Sequence, residues 1–108
     1  MKIIKHQAPV LFCTLVLSFI AATVHAAEDK HARNLAASCA ACHGTNGNSV
    51  GGAPVLAGLD KAYFVSQMKD LKSGALPATV MNKHAKGYSD EEFELLGAYF
   101  SAQKHVAK

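Results

Sequence analysis

The most reactive side chains of this chain stand close together in residues 38–47, SCAACHGTNG. Cys39 and Cys42 are three positions apart, and His43 follows directly. Two thiols and an imidazole at this spacing allow three kinds of chemistry: a zinc site, a redox-active disulfide, or covalent attachment of a prosthetic group. The other histidines, the predicted secondary structure and the glycine-rich loop that follows distinguish these three possibilities.

Attachment of a c-type haem explains the motif best. A zinc site needs four ligands, and His31, His84 and His105 are scattered without a second paired cluster. A thioredoxin-like dithiol belongs to a βαβ context, and a local disulfide leaves the following glycine-rich loop unexplained. Cys-x-x-Cys-His is the attachment signature of haem c: two thiols one helical turn apart reach the vinyl groups on one porphyrin edge, and His43 ligates the iron. We therefore predict one covalent haem c.

The attachment residues lie at the end of a predicted first helix, over residues 30–43. Its apolar stripe consists of Ala32, Leu35, Ala36 and Cys39, and it continues through Cys42 and His43. All three reactive side chains are therefore expected on one helix face.

Residues 44–59, GTNGNSVGGAPVLAGL, contain too many glycines for a helix or a central strand and predict a wrapping loop. A histidine ligand needs its second ring nitrogen to donate a hydrogen bond, so we expect a backbone carbonyl acceptor within residues 52–56. In this stretch Pro54 fixes the chain direction and Leu56 packs against the haem, which makes both of them predicted pocket residues.

Two further helices are predicted downstream. The first covers residues 60–73, with Asp60 as N-cap and Gly74 as its stop. The second begins with the capping-box sequence Ser89-Asp90-Glu91-Glu92. Gly97 in its buried face indicates close approach of another helix, for which the alanine-rich first helix is the expected neighbour. No segment alternates as a strand does, so the predicted class is all-α.

The sixth iron ligand is expected to be a methionine. Met68 falls on the apolar stripe of the second helix, where core packing is its ordinary role. Met81 lies in a segment predicted to be irregular, between Pro77 and Ser89, and is the predicted ligand. His84, a turn later, competes with Met81, and bis-histidine ligation would lower the redox potential.

The N-terminal segment has the pattern of an export signal: Lys2 and Lys5 precede an apolar run over residues 10–22, and Ala26 ends a cleavage site. We predict a cleaved signal peptide at 1–26, a single haem domain at 27–108 and a periplasmic location. The apolar run is shorter than the ~20 residues that span a bilayer. Two of the +3 net charges belong to the signal, and no clustered basic face indicates nucleic-acid binding.

The stretches CAACHG and GGAPVLAGL, followed by one methionine ahead of a capped C-terminal helix, resemble the short class I c-type cytochromes. Membership implies three main helices and loops wrapped round one haem. It also implies Cys39 and Cys42 as haem thioethers, His43 as proximal ligand and Met81 as distal ligand. The wording HGTNGNSVGGAP, FVSQMKDLKSG and TVMNKHAKGYSDEEFELLGAYF is similar to the cytochrome subunits of flavocytochrome c sulfide dehydrogenases, in which a flavoprotein subunit oxidises sulfide.

The predicted function is one-electron transfer, with no reaction catalysed by this chain alone. The protein either serves a flavoprotein in sulfide oxidation or shuttles electrons freely to an oxidase or another acceptor. A ligand-binding haem sensor or haem enzyme would require an open sixth position. Four lysines, Lys61, Lys72, Lys83 and Lys86, are candidates for a ring around the haem edge that attracts an acidic partner, or are ordinary solvated lysines.

Overall fold

A computed structural model describes residues 30–107, and no strand occurs within that range, which confirms the all-α class. The predicted signal peptide at 1–26 lies outside the described residues. Residues 30–37 are helical (α1). The helices that follow are α2 (Ala40–His43), α3 (Lys61–Ser73), α4 (Met81–Ala85) and α5 (Asp90–Ser101), with a 3₁₀ turn at Thr45–Gly47.

The predicted helix ends are confirmed for α3 and α5. The Tyr63 N–H donates to Asp60 Oδ1 at 2.9 Å, which caps α3, and Gly74 ends this helix in the left-handed region with φ 87°. At α5 the Glu92 N–H donates to Ser89 Oγ and the Ser89 N–H donates to the Glu92 carboxylate, which completes the capping box. Both helices therefore begin where local side-chain chemistry predicts.

Two predictions about helix extent are wrong. The first helix is not continuous over 30–43, because a turn at 38–39 separates α1 from α2. Ser38 Oγ donates to the Leu35 carbonyl at 3.0 Å, and this side-chain bond competes with the regular backbone pattern. The segment between Pro77 and Ser89 is not wholly irregular, because Met81–Ala85 form the short helix α4.

The core is small and lies mainly between α3 and α5, which pack against each other more extensively than any other pair among α2 to α5. The Phe64 and Phe100 ring centroids are 5.6 Å apart. Met68 is buried there, as its ordinary role predicts. The buried cluster comprises Ala36, Phe64, Val65, Met68, Ala85, Phe93, Leu96 and Phe100.

Gly97 allows a close helix approach as predicted, but its neighbour is α3 and not the first helix. A Cβ at Gly97 would lie 3.1 Å from Lys61 Cγ and from Val65 Cγ2. The alanine-rich pattern of α1 could not reveal this, because α1 and α3 both offer an apolar face and sequence alone does not rank the pairings. No helix within 30–107 has the length and apolar character needed to cross a membrane.

Candidate haem site

The two cysteines differ in their surroundings. Cys39 is half-buried and packs against the core cluster, whereas Cys42 is exposed, and neither forms a disulfide within the described part of the chain. Burial raises the pKa of the Cys39 thiol, and the hydrogen bond with Ser38 acts in the opposite direction.

His43 is oriented by a backbone contact. Its Nδ1 lies 2.7 Å from the carbonyl oxygen of Pro54, within the predicted stretch 52–56. A carbonyl oxygen can only accept, so Nδ1 carries the proton and donates it. Nε2 of the neutral ring then keeps a lone pair, which is the form of histidine that ligates iron.

The loop that supplies the Pro54 carbonyl is anchored at Gly47. The Leu56 and Ala57 N–H groups both donate to the Gly47 carbonyl, at 2.8 and 3.2 Å. A Cβ at Gly47 would lie 2.9 Å from the Phe100 ring, so the loop packs tightly on α5. Leu56 is half-buried against the core and Pro54 is exposed. Their roles as pocket residues stay predictions.

Met81 is the first residue of α4, half-buried and packed against the same core cluster as Cys39. His84, its competitor, is exposed on the same short helix. Met81 therefore lies against the core and His84 at the surface, and Met81 as the second protein ligand stays a prediction.

The donors present fit a haem c. Two thiols, an imidazole with a lone pair on Nε2 and a thioether are the groups that attach and ligate such a haem. No group of three or more His, Cys, Asp or Glu side chains within 30–107 is arranged to hold a metal ion. Half-buried apolar side chains that suit a large flat porphyrin also border the core, namely Leu35, Leu56, Leu59, Leu71, Tyr88 and Tyr99.

Sequence reasoning missed a hydrogen bond between the attachment turn and the segment after α4. The Tyr88 hydroxyl lies 2.6 Å from Ser38 Oγ. The single Ser38 hydroxyl proton goes to the Leu35 carbonyl, so Tyr88 donates to Ser38. Ser38 precedes Cys39, so this bond ties the start of the motif to a residue 50 positions downstream. Neither residue carries a sequence signal for this contact.

Two of the four predicted partner-facing lysines are engaged within the fold. Lys61 forms an ion pair with Glu94 at 2.8 Å. Lys72 donates to the Tyr88 carbonyl at 2.7 Å and lies 5.3 Å from the centroid of the Phe93 ring.

The other two lysines, Lys83 and Lys86, are exposed in α4 and directly after it. Neither forms an ion pair with another residue of the described range. They are therefore better placed than Lys61 and Lys72 to meet a partner.

Comparison with known proteins gives the family of the chain. The Cytochrome c family model matches residues 30–104. The cytochrome subunit of sulfide dehydrogenase from Chlorobaculum tepidum is 46% identical over 66 residues, which are 61% of this chain and 60% of that protein. Cytochrome c4 from Azotobacter vinelandii is 38% identical over 103 residues, 84% of this chain and 49% of that protein.

A thiosulfate dehydrogenase electron acceptor from Stutzerimonas stutzeri is 39% identical over 69 residues, 62% of this chain and 32% of that protein. The chain thus spans between about a third and three fifths of the length of these relatives.

Proposed function

Because the chain belongs to the Cytochrome c family and carries one covalent haem c, we propose which residues hold that haem. Cys39 and Cys42 form the two thioether bonds. His43 and Met81 are the axial ligands of the iron. The haem supplies the redox chemistry, because its iron alternates between Fe(III) and Fe(II) and so stores one electron.

The observation that carries this proposal is the 2.7 Å hydrogen bond from His43 Nδ1 to the Pro54 carbonyl. It holds the ring in one orientation and in the tautomer that leaves Nε2 available to the iron. On the other side, the Met81 thioether favours the ferrous state more than an imidazole would. The buried residues of α3 and α5 keep water from the region between the helices.

A spectrum and a mass test these assignments. We expect the secreted protein to carry the mass of one covalent haem, and its ferric form to show the weak far-red absorption band of methionine-ligated haem. Rapid binding of carbon monoxide to the reduced wild-type protein would contradict the methionine assignment and would favour a ligand-binding haem sensor or enzyme. A protein without covalent haem would contradict the thioether assignment.

We further propose that this electron carrier, with no reaction of its own, accepts electrons from a flavoprotein that oxidises sulfide. The similarity to a cytochrome subunit of sulfide dehydrogenase supports this donor. Lys83 and Lys86 would attract an acidic surface of that flavoprotein, because exposed charges of one sign steer association. Pull-down from native extract with the tagged haem protein tests it, and recovery of a flavoprotein that reduces the haem upon addition of sulfide is the expected result.

The second candidate is a free shuttle to an oxidase or another acceptor. The similarity to a thiosulfate dehydrogenase electron acceptor favours it. Gel filtration of the native extract distinguishes the two roles, since a dedicated subunit elutes with its flavoprotein and a free shuttle elutes alone.

We also propose that residues 1–26 are removed on export and that the domain of residues 27–108 works in the periplasm. The N-terminal sequence of the protein recovered from a periplasmic fraction tests both statements. A sequence beginning at Ala27 is expected, and an intact Met1 on the haem-loaded protein would contradict the cleavage.

A further inference from the structure

Asn82 follows Met81 in the sequence, and its side-chain amide joins three segments. Nδ2 donates to the carbonyls of Leu71 and Leu76, both at 2.8 Å. Oδ1 accepts from the Ala78 N–H at 2.7 Å. Two carbonyl acceptors and one N–H donor permit a single orientation of the amide. Asn82 thus connects the last turn of α3, the loop 74–80 and the first turn of α4.

The loop 74–80 has little else to order it. Each of its residues is exposed, including Leu76 and Val80, and a Cβ at Gly74 would meet no atom within 4 Å. Fixing a backbone without burying apolar surface must be offset by hydrogen bonds. The remaining bonds described for residues 75 and 76 go back to Ser73 and Asp70 in α3. The bonds that join residues 76 and 78 to α4 are those of Asn82.

Met81 depends on this arrangement because its own side chain cannot be oriented by strong hydrogen bonds. A thioether sulfur is at most a weak acceptor. Helix α4 has five residues and no side-chain cap at Val80, and its first turn is closed only by the Lys83 and His84 N–H groups, which donate to the Val80 carbonyl. Besides the packing of Met81 and Ala85 on the core, the place of the Met81 backbone therefore depends on what fixes residue 82.

We propose that Asn82 is a positioning residue that holds Met81 on the haem iron. This inference rests on the axial role proposed above for Met81. The amide does not touch the iron. It holds the loop 74–80 and the first turn of α4 in fixed positions relative to α3. The Met81 thioether would then rebind the iron quickly after any dissociation.

The test is the rate at which imidazole binds to the ferric holoprotein, because an external ligand enters after the methionine leaves. Asn82→Leu removes three hydrogen bonds and keeps the side-chain size, and we expect imidazole binding to become roughly tenfold faster or more. The far-red band of the ferric protein should also weaken.

Asn48→Leu is the matched control. Asn48 also uses both ends of its amide, donating to the Lys104 carbonyl at 3.1 Å and accepting from the Val106 N–H at 2.8 Å. These bonds fasten the C-terminal tail and do not reach α4. Asn48→Leu should lower overall stability while leaving the imidazole rate unchanged.

Equal acceleration in the two variants, or none in Asn82→Leu, would overturn the positioning role. Asn82→Asp provides a second variant if Asn82→Leu does not fold, since the carboxylate keeps the acceptor and loses both donors. It also sets a carboxylate oxygen against the carbonyls of Leu71 and Leu76, so it should accelerate imidazole binding as well, and a wild-type rate would count against the proposal. A wild-type protein without the far-red band would instead refute the axial role of Met81 itself, so the two failures are distinguishable.

Discussion

The two candidate ligands of the iron are held in different ways. On the His43 side, the ligand side chain is itself hydrogen-bonded, to a carbonyl eleven residues away in a loop packed on α5. On the Met81 side, the ligand follows an exposed loop, and the ordering bonds are made by its neighbour Asn82. An imidazole has a second nitrogen by which a protein can orient it, whereas a thioether has none. A methionine ligand must therefore be positioned through its backbone and its packing.

Removing each ligand in turn is the strongest test of this difference. Met81→Ala should keep the covalent haem, open the sixth position to carbon monoxide and lower the midpoint potential by on the order of 0.1 V, within the ~0.8 V range that axial ligands cover. His43→Ala should abolish stable holoprotein, because the iron loses its proposed histidine ligand and the Pro54 carbonyl loses its hydrogen-bond donor. Mass spectrometry, redox titration and carbon monoxide spectra measure these effects. A reduced Met81→Ala protein that stays six-coordinate would show that His84 replaces the methionine.

A matched pair of glycines tests the packing of the two loops. Gly47 and Gly74 both have positive φ, 78° and 87°, so alanine at either place costs roughly 1–2 kcal/mol of backbone strain. At Gly47 the new Cβ would also lie 2.8 Å from Ala57 N, which adds roughly 1–3 kcal/mol of overpacking. Denaturant unfolding of both holoproteins should therefore show the larger loss of unfolding free energy for Gly47→Ala. Equal losses would mean that the loop at Gly47 accommodates a new Cβ as easily as the exposed loop 74–80 does.

Pro54→Ala separates the carbonyl that His43 uses from the proline ring. The carbonyl is retained, so His43 keeps its acceptor, and the unfolding free energy should fall by about 0.4–1 kcal/mol as the unfolded loop gains freedom. We expect an unchanged midpoint potential in redox titration. A shift in potential would indicate that the proline ring itself forms part of the haem pocket.

The smallest effect is expected outside both ligand regions. Lys61 and Glu94 form an ion pair 2.8 Å apart with side chains about half exposed, and such pairs contribute about 0–1 kcal/mol. Glu94→Gln should lower the unfolding free energy by no more than that in low salt, and high salt should remove the difference. Its imidazole-binding rate should equal that of the wild type. A faster rate would mean that any loss of stability speeds the dissociation of Met81. The proposed difference between the ways in which His43 and Met81 are held would then be refuted.

Features with a local cause were predictable from the sequence. The Asp60 cap and the Ser89 capping box each involve residues three positions apart, and the acceptor for His43 was expected within five residues that include Pro54. The break at residues 38–39 was missed because the apolar stripe of residues 32–43 continues through it. The hydrogen bond from the Ser38 side chain to the backbone leaves no mark on that pattern.

Features with a distant cause were not predictable. Gly97 indicated a close helix contact, yet the choice of α3 over α1 depends on how the apolar faces pack together. Asn82 gave no signal either, because an asparagine near a loop is commonplace, although its three partners are only 4, 6 and 11 positions away. Tyr88 and Ser38 are 50 positions apart, beyond the reach of any periodicity.

The sequence by itself determined the covalent chemistry, because thioether attachment requires two thiols one turn apart and an adjacent histidine, and all three lie within the five residues from Cys39 to His43. It also determined where the long helices begin, since their caps are local. Only the tertiary structure decided how the two candidate ligands are held. The Nδ1 proton of His43 is assigned by a carbonyl from another loop, and the register of Met81 is set by hydrogen bonds to α3 and its following loop. Both depend on contacts between segments, which the packing of the core brings together.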